Sequence, residues 1–298
     1  MTEDEKRPAG RLYLVTTPIG NLEDMTFRAV RTLREADLIA AEDTRNSMKL
    51  LTHFDIHTPM TSYHEFNKIP KGKQLVERMS AGETVALITD AGMPGISDPG
   101  EELVKMAIEA GLAVSAVPGA CAAVTGLTIS GQATRRFCFE AFLPADKKER
   151  GQVLEELRTE TRTIVLYEAP HRLVRTLEEL EKTLGDRRVS LCRELTKKHE
   201  SVEVTTLSKA LAAFHDGAQP RGEYVIVLEG RDRGDVVHER QEQNAAAMTL
   251  TEHMALYLGK GLDRKEAMKA VAKDRGLSRR DVYRMLLEAE DAENAEDE

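Results

Sequence analysis

The sequence predicts an α/β protein with two α/β domains and a small helical tail at the C-terminal end. The first observation behind this fold class is that short apolar runs alternate along the chain with stretches of helical periodicity. The second is that one unbroken apolar run, Val85–Ile88, ends in a loop rich in glycine and proline, which is typical of a buried parallel strand at a ligand-binding edge. The third is the length of 298 residues, which is sufficient for two such domains and a tail.

The first domain is expected over residues 11–123, after a polar leader of residues 1–10. Its predicted strands are Leu12–Val15, Leu38–Ala41, Thr61–His64, Val85–Ile88 and Leu112–Val117. A helix through Phe27, Val30 and Leu33, which have helical spacing, follows the first strand. Because strands and helices alternate at this pace, we expect a mostly parallel sheet.

The second domain is expected over residues 124–230. Its predicted strands lie near Phe137–Phe142, Thr163–Tyr167, Val189–Cys192, Val202–Thr206 and Tyr224–Leu228. Between these strands, leucines recur at helical spacing at Leu173, Leu177, Leu180 and Leu184. Such a stripe indicates a helix that packs into the core rather than a functional surface.

Beyond the second domain, residues 231–244 are too polar to bury and are interpreted as a linker. Residues 245–287 return to helical periodicity, and Ser278 with Asp281 forms a capping box at the start of the last helix. The basic side chains of that helix are Arg279, Arg280 and Arg284. This arrangement resembles a helix-turn-helix, and the alternative is a small appendage with a solvated basic face. Residues 288–298 form an acidic terminus.

Composition limits the class of protein. The formal net charge is −9, but residues 288–298 hold seven acidic and no basic side chains, so the rest of the chain is close to neutral. Nucleic-acid binding would therefore depend on local basic patches. Three scattered cysteines fit a reducing cytoplasm better than a disulfide framework. We expect a cytoplasmic protein without a membrane span, because the sequence has no apolar signal core and no apolar run of ~20 residues.

The loop from Thr89 to Gly100 is the first candidate ligand site. Its glycines match neither a Walker phosphate loop nor the dinucleotide-binding fingerprint, because no Lys-Ser or Lys-Thr follows them and their spacing differs. Glycine lets the backbone approach a ligand closely while proline stiffens the loop, so one interpretation is a ligand bound mainly through main-chain groups. The other interpretation is a strand-to-helix corner that binds nothing.

Glu42, Asp43 and Arg45 follow another predicted strand and are the candidate catalytic residues. A carboxylate can act as general base for a hydroxyl nucleophile, and a guanidinium can hold a phosphate. The alternative for the two carboxylates is an N-terminal helix cap. Glu168 and His171, at the end of a strand in the second domain, are rival candidates for the base.

Three histidines raise the question of a metal site. His53 and His57 have the spacing i, i+4, and His64 follows, but Pro59 interrupts the element and the sequence has no His-Glu-x-x-His motif. We therefore expect no metal.

Several basic side chains could follow an RNA backbone. The candidates for RNA binding are Arg135, Arg136, His171, Arg172, Lys197 and Lys198, and the further basic groups are Arg45, Lys49, Lys147 and Lys148. Each could equally be a solvated surface charge.

Eight motifs, taken in order, resemble the tetrapyrrole methylase superfamily, and within it the enzymes that methylate a cytidine 2′-oxygen of small-subunit ribosomal RNA. These motifs are Thr17–Leu22, Glu42–Arg45, Thr89–Gly100, Val117–Gly119, Phe139–Pro144, Tyr167–Arg172, Arg193–Lys197 and Gly222–Tyr224. The resemblance implies that S-adenosylmethionine lies in a cleft between the two α/β domains and that the protein is a homodimer. It also implies, by position, cofactor contacts at Pro18, Asp90, Gly92, Met93, Pro94, Ser97, Cys121, Ala122, Tyr167, Glu168 and Thr196.

The activity that the resemblance implies is 2′-O-methylation of a cytidine in 16S ribosomal RNA, with naked RNA or the small ribosomal subunit as the partner. In-line methyl transfer requires no metal and no covalent nucleophile, but a ribose hydroxyl benefits from a base or from stabilisation of the developing alkoxide. One alternative is a porphyrinoid methyltransferase on the same fold, which would not need the tail. The other is a non-catalytic RNA-binding protein, which would use the tail and bind no cofactor.

Overall fold

A computed structural model describes residues 10–239 and 248–296, with side chains up to residue 288. Within these residues the chain divides into two compact units. The first unit ends at Glu229 and contains both β-sheets, whereas the second takes in Thr159–Thr161 and the segment that begins at Gly230. Nearly all of the expected polar leader lies outside the described residues. Among the helices of the described segments, none is both long and apolar enough to cross a membrane.

The first sheet has five strands: β1 (Arg11–Val15), β2 (Leu38–Ala41), β3 (Met60–Ser62), β4 (Val85–Ile88) and β5 (Ala113–Val117). Their order is β3-β2-β4-β1-β5, and every neighbouring pair is parallel. The predicted parallel sheet is therefore confirmed. Strands β2 and β4 are buried along their whole length, which is why each appears in the sequence as an unbroken apolar run.

Helices cover both faces of this sheet. They are α1 (Phe27–Glu35), α2 (Thr44–His53), α3 (Lys68–Ser80) and α4 (Gly100–Glu109), with a short 3-10 helix at Leu22–Asp24. Helix α5 (Ala122–Ile129) packs instead on the second sheet, where Ala123 and Leu127 belong to the same apolar cluster as Val225. Alternate strand residues face opposite layers, so Leu12 and Leu87 belong to one apolar cluster while Val15 and Ile88 belong to the other. Because all five strands run the same way, the loops that follow them meet at one edge.

The second sheet is mixed. Its strands are β6 (Phe137–Ala141), β7 (Thr163–Glu168), β8 (Arg188–Arg193), β9 (Ser201–Thr206) and β10 (Tyr224–Leu228), in the order β6-β7-β10-β8-β9. Only β6 and β7 pair in parallel. Helices α6 (Lys147–Arg158), α7 (Pro170–Leu184) and α8 (Leu207–His215) accompany it. The leucine stripe on α7 is buried in the core, as predicted.

The second unit is helical. Part of the predicted linker forms α9, described over residues 233–239, whose start is capped by the Asp232 carboxylate; residues 240–244 of that linker lie outside the described residues. Helices α10 (Leu250–Gly259), α11 (Arg264–Asp274) and α12 (Arg279–Glu296) then share one apolar core. Capping boxes start α10 and α11, and the Asp281 N–H donates to Ser278 Oγ at 3.2 Å as the sequence predicts for α12.

Candidate functional site

The loops at the C-terminal edge of the first sheet and one edge of the second sheet enclose a central cavity of about 320 Å³. This volume is within the usual range for small-molecule sites. Its apolar wall includes Ile19, Met93, Ile96, Phe142, Tyr167, Leu195 and Val225. Acidic residues on its wall are Glu42, Asp90, Asp98, Glu168, Glu194 and Glu223. The cavity therefore combines apolar surface with several carboxyl groups.

Two strand-end loops are joined at the floor of the central cavity. Thr17 N donates to the Gly92 carbonyl at 3.0 Å, and Gly92 N donates to the Thr17 carbonyl at 3.1 Å. Gly92 has φ +83°, and a Cβ added there would lie 3.2 Å from Ile19 Cγ2. Glycine is required at this position by both the backbone conformation and the close approach of the neighbouring loop.

The loop after β4 is held in shape by Asp98. Its carboxylate accepts hydrogen bonds from Gly95 N at 2.9 Å and Gly100 N at 2.7 Å. Tyr63 Oη donates to the Pro99 carbonyl at 3.0 Å, and burial raises the pKa of that phenol well above its usual value. These contacts use the Asp98 carboxylate internally and leave the loop backbone to line the cavity.

The two adjacent carboxylates after β2 have different environments. Glu42 lines the central cavity, and its Oε2 accepts a hydrogen bond from Thr89 Oγ1 at 2.7 Å. Asp43 is the N-cap of α2, where its carboxylate accepts from Arg45 N at 2.8 Å. The hydrogen bond with the Arg45 side chain holds the pKa of Asp43 below its usual value. The capping interpretation therefore describes Asp43, and Glu42 is the carboxylate that faces the cavity.

Arg45 and Asp90 lie near this pair but differ in exposure. The Arg45 side chain is 89% exposed and is not part of the cavity wall. Asp90 lines the wall and accepts from Asp43 N at 3.2 Å and from Asn46 Nδ2 at 3.4 Å. The start of α2 is thus tied to the loop after β4.

Tyr167 anchors an aromatic wall on the second sheet. Its Oη accepts a hydrogen bond from Ala123 N at 3.0 Å, which connects β7 to α5. Phe142 contacts the Tyr167 ring edge-on, with the ring centroids 5.7 Å apart. Burial, with a contribution from Cys121, raises the pKa of Tyr167 to about 12, so the phenol is neutral at physiological pH.

Glu168 is held inside the second sheet. Its side chain is fully buried, and it accepts from Thr176 Oγ1 at 2.6 Å and from Ala169 N at 2.9 Å, with Arg172 Nε at 3.4 Å. His171 is exposed and does not line the central cavity. The geometry therefore favours Glu42 over both rival candidates for the base.

The remaining cofactor positions implied by the resemblance divide into two groups. Gly92, Met93, Ser97, Cys121 and Ala122 line the central cavity together with Asp90 and Tyr167. Pro18, Pro94 and Thr196 do not. Thr196 has φ +67°, and its buried hydroxyl has no hydrogen-bond partner among the described residues. The cofactor roles of all these residues stay predictions.

An adjoining cavity of about 370 Å³ shares part of its wall with the central cavity. The shared residues are Ile19, Thr89, Asp90, Ala91, Lys197 and Glu223. Pro18 and Gly20 line the adjoining cavity from the loop after β1, and Asn46 and Lys49 line it from α2. The two cavities therefore share a wall that includes Thr89, the residue that holds Glu42.

Lys197 lies at the junction of the two cavities. Its Nζ contacts Glu194 Oε1 at 3.0 Å and Glu223 Oε2 at 2.8 Å. The side chain also packs on Gly20, where an added Cβ would lie 2.5 Å from Lys197 Cγ. The Glu223 N–H, assisted by Lys197, holds the pKa of Glu194 below its usual value. The ammonium group expected to bind RNA is thus already paired with two carboxylates.

The other expected RNA-binding side chains differ in exposure. Arg135, Arg136, His171 and Lys198 are exposed. Arg172 is half-buried, and its Nη2 donates to the Leu143 carbonyl at 2.7 Å. Within the described residues, no group of three or more His, Cys, Asp or Glu side chains could hold a metal ion.

Sequence reasoning missed the contribution of β10 to the cavity. Glu223, Tyr224 and Val225 line the wall, although they precede or begin a strand rather than follow one. Antiparallel pairing explains this, because Tyr224 lies opposite Glu168 and Arg193, at the ends of β7 and β8. The motif Gly222–Tyr224 indicates that this segment is functional. The sequence alone does not indicate the direction of β10, which depends on how the strand pairs in the sheet.

Comparison with known proteins identifies the class that this fold and cleft define. A model of the tetrapyrrole (corrin/porphyrin) methylases matches residues 11–211. The chain belongs to this family. Within it, the chain is similar to ribosomal RNA small subunit methyltransferase I of Halalkalibacterium halodurans, with 51% identity over 274 residues that cover 92% of this chain and 93% of the relative. The protein of that name from Bacillus subtilis is 46% identical over 283 residues, covering 95% and 96%.

Solved structures of more distant proteins have the same fold. Uroporphyrin-III C-methyltransferase from Thermus thermophilus, in complex with S-adenyl homocysteine, matches with a TM-score of 0.52 and 22% identity over 74% of this chain and 97% of that one. Diphthine synthase matches with a TM-score of 0.58 and 17% identity, over 74% and 90%. At these identities the likeness extends to the fold alone.

Proposed function

We propose that the protein transfers a methyl group from S-adenosylmethionine to small-subunit ribosomal RNA, and that the acceptor is the ribose 2′-oxygen of a cytidine in 16S ribosomal RNA. The observation that carries this proposal is the hydrogen bond between Glu42, on the wall of the central cavity, and Thr89, which lines both cavities. The names of relatives that align over more than nine-tenths of the chain support ribosomal RNA as the substrate.

The central cavity fits S-adenosylmethionine. The Gly92 backbone and the start of α5 at Cys121 and Ala122 offer close main-chain approach, and the wall of Ile19 and Tyr167 suits a purine ring. Carboxylates such as Asp90 suit ribose hydroxyl groups and the positive charges of this cofactor. When bound, the cofactor supplies an electrophilic methyl group on a sulfonium centre.

Glu42 is the proposed general base. Thr89 holds Oε2 with a hydrogen bond, and among the described residues no donor is bonded to Oε1. Oε1 is therefore available to accept the proton of a ribose hydroxyl as its oxygen becomes a nucleophile. Because Glu42 follows a fully buried strand, its position is set by a rigid element, which favours an in-line arrangement of acceptor and methyl group.

The adjoining cavity is the proposed acceptor site. The exposed Lys49 and Asn46 on its α2 wall can contact a phosphate and a sugar or base edge, respectively. Lys197 lines both cavities and is instead paired with Glu194 and Glu223. A nucleotide entering from this side would bring its ribose toward Thr89 and Glu42.

Two further expectations belong to this proposal. We propose a homodimer, whose interface would cover exposed apolar side chains such as Val124 (51% exposed) and Ile129 (42%) on α5. We also propose a cytoplasmic location, where ribosomal RNA is available to the enzyme. Analytical ultracentrifugation of the full chain tests the first point, and a monomer at micromolar concentration contradicts it.

The test of the function is a methylation assay with defined acceptors. The purified protein and S-adenosylmethionine are incubated with 16S ribosomal RNA or small subunits from cells that lack the protein, and nucleosides are analysed by mass spectrometry. We expect 2′-O-methylcytidine from one of these substrates, and its formation by Glu42→Gln should be slower by roughly 10²–10⁴-fold under the same conditions. Methylation of uroporphyrinogen but of neither RNA substrate would contradict the proposal and support a porphyrinoid methyltransferase.

A further inference from the structure

One side of α12 carries basic and apolar side chains together. Val282 and Leu286 are buried at 0% and 6% exposure and turn α12 toward the core of the second unit. The α12 face, defined as Arg280, Tyr283, Arg284 and Leu287, has the spacing i, i+3, i+4, i+7. At 3.6 residues per turn these four positions form a single stripe, roughly opposite the buried one. All four are exposed.

The α12 face also exposes two apolar side chains, and solvation of its arginines does not explain them. Tyr283 is 51% exposed and Leu287 is 40% exposed. A helix side that only carries solvated charge has no need of an aromatic ring between two arginines. An aromatic side chain flanked by cationic ones is the usual composition of surfaces that bind single-stranded nucleic acid.

The arginines of this face are available to a ligand. Within residues 248–288, no carboxylate forms an ion pair with Arg280, whereas Arg284 contacts Asp281 at 3.2 Å and Glu288 at 4.0 Å. The Arg284 side chain is 68% exposed, so its contacts are of the surface type that contributes little energy. A phosphate can therefore replace these carboxylates at small cost.

Neighbouring helix α11 adds charge of the same sign. Lys265, Lys269 and Lys273 are exposed and have the spacing i, i+4, i+8, which places them in one stripe on α11. Charge complementarity to these lysines favours a negatively charged partner. A polyanion complements both the charge of the lysine stripe and that of Arg280 and Arg284.

Hydrogen bonds and a helix cap hold the turn before α12, which fixes the position of the start of this helix. Gly276 has φ +63°, and Ser278 caps α12. Arg275 donates from Nε to His253 Nδ1 at 3.1 Å and from Nη2 to the carbonyls of Met248 and Thr249. Asp274 contacts His253 Nε2 at 3.3 Å. These contacts tie the end of α11 to α10.

We propose that the α12 face binds an unpaired segment of RNA, with Tyr283 stacked on a base and with Arg280 and Arg284 at the flanking phosphates. This inference rests on the proposed function for the identity of the polymer, and it assigns a second RNA contact outside the catalytic unit. Unpaired RNA is favoured over duplex because a stacking ring needs an exposed base, while the deep major groove of an RNA duplex excludes side chains.

The test uses the full-length protein and two fluorescent RNA probes, a hairpin with an unpaired loop and a fully paired duplex of equal length. We expect Tyr283→Ala to raise the hairpin Kd by roughly 5- to 150-fold, the effect of losing one stacked base, and to change the duplex Kd little. Tyr283→Phe should bind like the parent. Arg280→Ala should reduce the slope of log K against log salt by about one.

A matched control is Leu258→Ala on α10, which removes an apolar side chain of the same unit that is 45% exposed and lies off the α12 face. It should leave both Kd values unchanged. Equal hairpin affinities for Tyr283→Ala and the parent, with the variant folded by circular dichroism, would overturn the inference. So would binding of an acidic peptide that competes fully with the hairpin.

Failure of this inference is distinguishable from failure of the proposed function. The hairpin Kd is measured without S-adenosylmethionine and does not depend on methyl transfer, which the assay with 16S ribosomal RNA measures separately. If the parent methylates RNA while the tail variants bind hairpin normally, only the α12 proposal fails. If the parent methylates no RNA but Tyr283→Ala still loses hairpin affinity, only the proposed function fails.

Discussion

Thr89 Oγ1 donates a hydrogen bond of 2.7 Å to Glu42 Oε2, and this contact joins the ends of two neighbouring buried strands. Thr89 follows β4 and Glu42 follows β2, so neither side chain depends on a flexible connection for its position. The hydrogen bond fixes one carboxylate oxygen and directs the other toward the ligand space. A general base that is held in this way keeps its geometry before the acceptor arrives.

The first prediction is that Glu42→Gln lowers the single-turnover rate of methylation by roughly 10²–10⁴-fold, because the amide cannot accept the hydroxyl proton. The Kd for S-adenosylmethionine should change little, since the shape of the wall is kept. Rapid-quench assays with saturating RNA measure the rate, and calorimetric titration measures the affinity.

Asp43→Asn is the matched control for the first prediction, because it changes the neighbouring carboxylate that caps α2. This variant should leave the single-turnover rate unchanged and lower the free energy of unfolding only slightly, because asparagine keeps the cap but loses the negative charge at the start of α2. If Glu42→Gln methylates at the parent rate, or if Asp43→Asn methylates more slowly than the parent, Glu42 is not the general base.

The second prediction is that Gly92→Val raises the Kd for S-adenosylmethionine about tenfold or more. A β-branched residue at φ +83° is strained by at least ~1–2 kcal/mol, and its Cβ would approach Ile19 to 3.2 Å. The loop can relieve both problems only by moving its backbone from the position that lines the central cavity. Calorimetric titration of the folded variant measures the effect.

Gly111→Val provides the control for the second prediction. Gly111 has φ +70°, but nothing lies within 4 Å of an added Cβ. The substitution therefore introduces comparable backbone strain without a contact and away from the cavity. It should lower the melting temperature and leave the cofactor Kd unchanged. Parent-like binding by both variants would mean that the Gly92 backbone does not approach the cofactor.

The sequence predicts the strands better than it predicts how they pair. Short apolar runs reveal strands such as β4, and alternation with helices implies parallel pairing in the first sheet. The second sheet breaks this rule, because β10 runs antiparallel to both β7 and β8. Its first residues therefore reach the cavity edge, an outcome that depends on pairing between segments distant in sequence.

Adjacent residues of like chemistry are the second limit of sequence reasoning. Glu42 and Asp43 look equivalent in the sequence, yet one faces the cavity and the other caps a helix, because successive side chains leave a strand end in different directions. Lys197 and Lys198 look equivalent too. Only Lys197 meets the carboxylate of Glu223, a contact that the fold alone creates.

The third prediction separates these two lysines. Lys198→Ala should weaken RNA binding and reduce the slope of log K against log salt by about one, because an exposed ammonium can contact a phosphate. Lys197→Ala should leave that slope unchanged and lower the free energy of unfolding by on the order of 1 kcal/mol, through loss of its pairs with Glu194 and Glu223. Fluorescence anisotropy over a salt series distinguishes them, and equal slope changes in the two variants would show that Lys197 leaves its carboxylates for RNA.

The last prediction concerns His253, which is 3% exposed between Arg275 Nε and the Asp274 carboxylate. Burial, reinforced by the charge of Arg275, lowers the pKa of His253 below its ordinary 6.5. The native second unit therefore favours the neutral imidazole, with Nδ1 accepting from Arg275. The contribution of neutral His253 to the free energy of unfolding is fully present above its pKa in the unfolded chain, about 6.5. This contribution is lost as the pH falls through the lower pKa of His253 in the folded state.

Hydrogen exchange of the α10 and α11 amides in the full-length chain, corrected for intrinsic rates, measures this dependence. The free energy of local opening should decrease when the pH is lowered from above to below about 6.5. His253→Gln cannot titrate, so the pH dependence should disappear from these helices even if their stability is lower at every pH. His57→Gln, which removes a histidine whose side chain is 86% exposed, should retain the parent profile. If the free energy of local opening in the parent protein is the same above and below this pH, protonation of His253 does not control the stability of these helices.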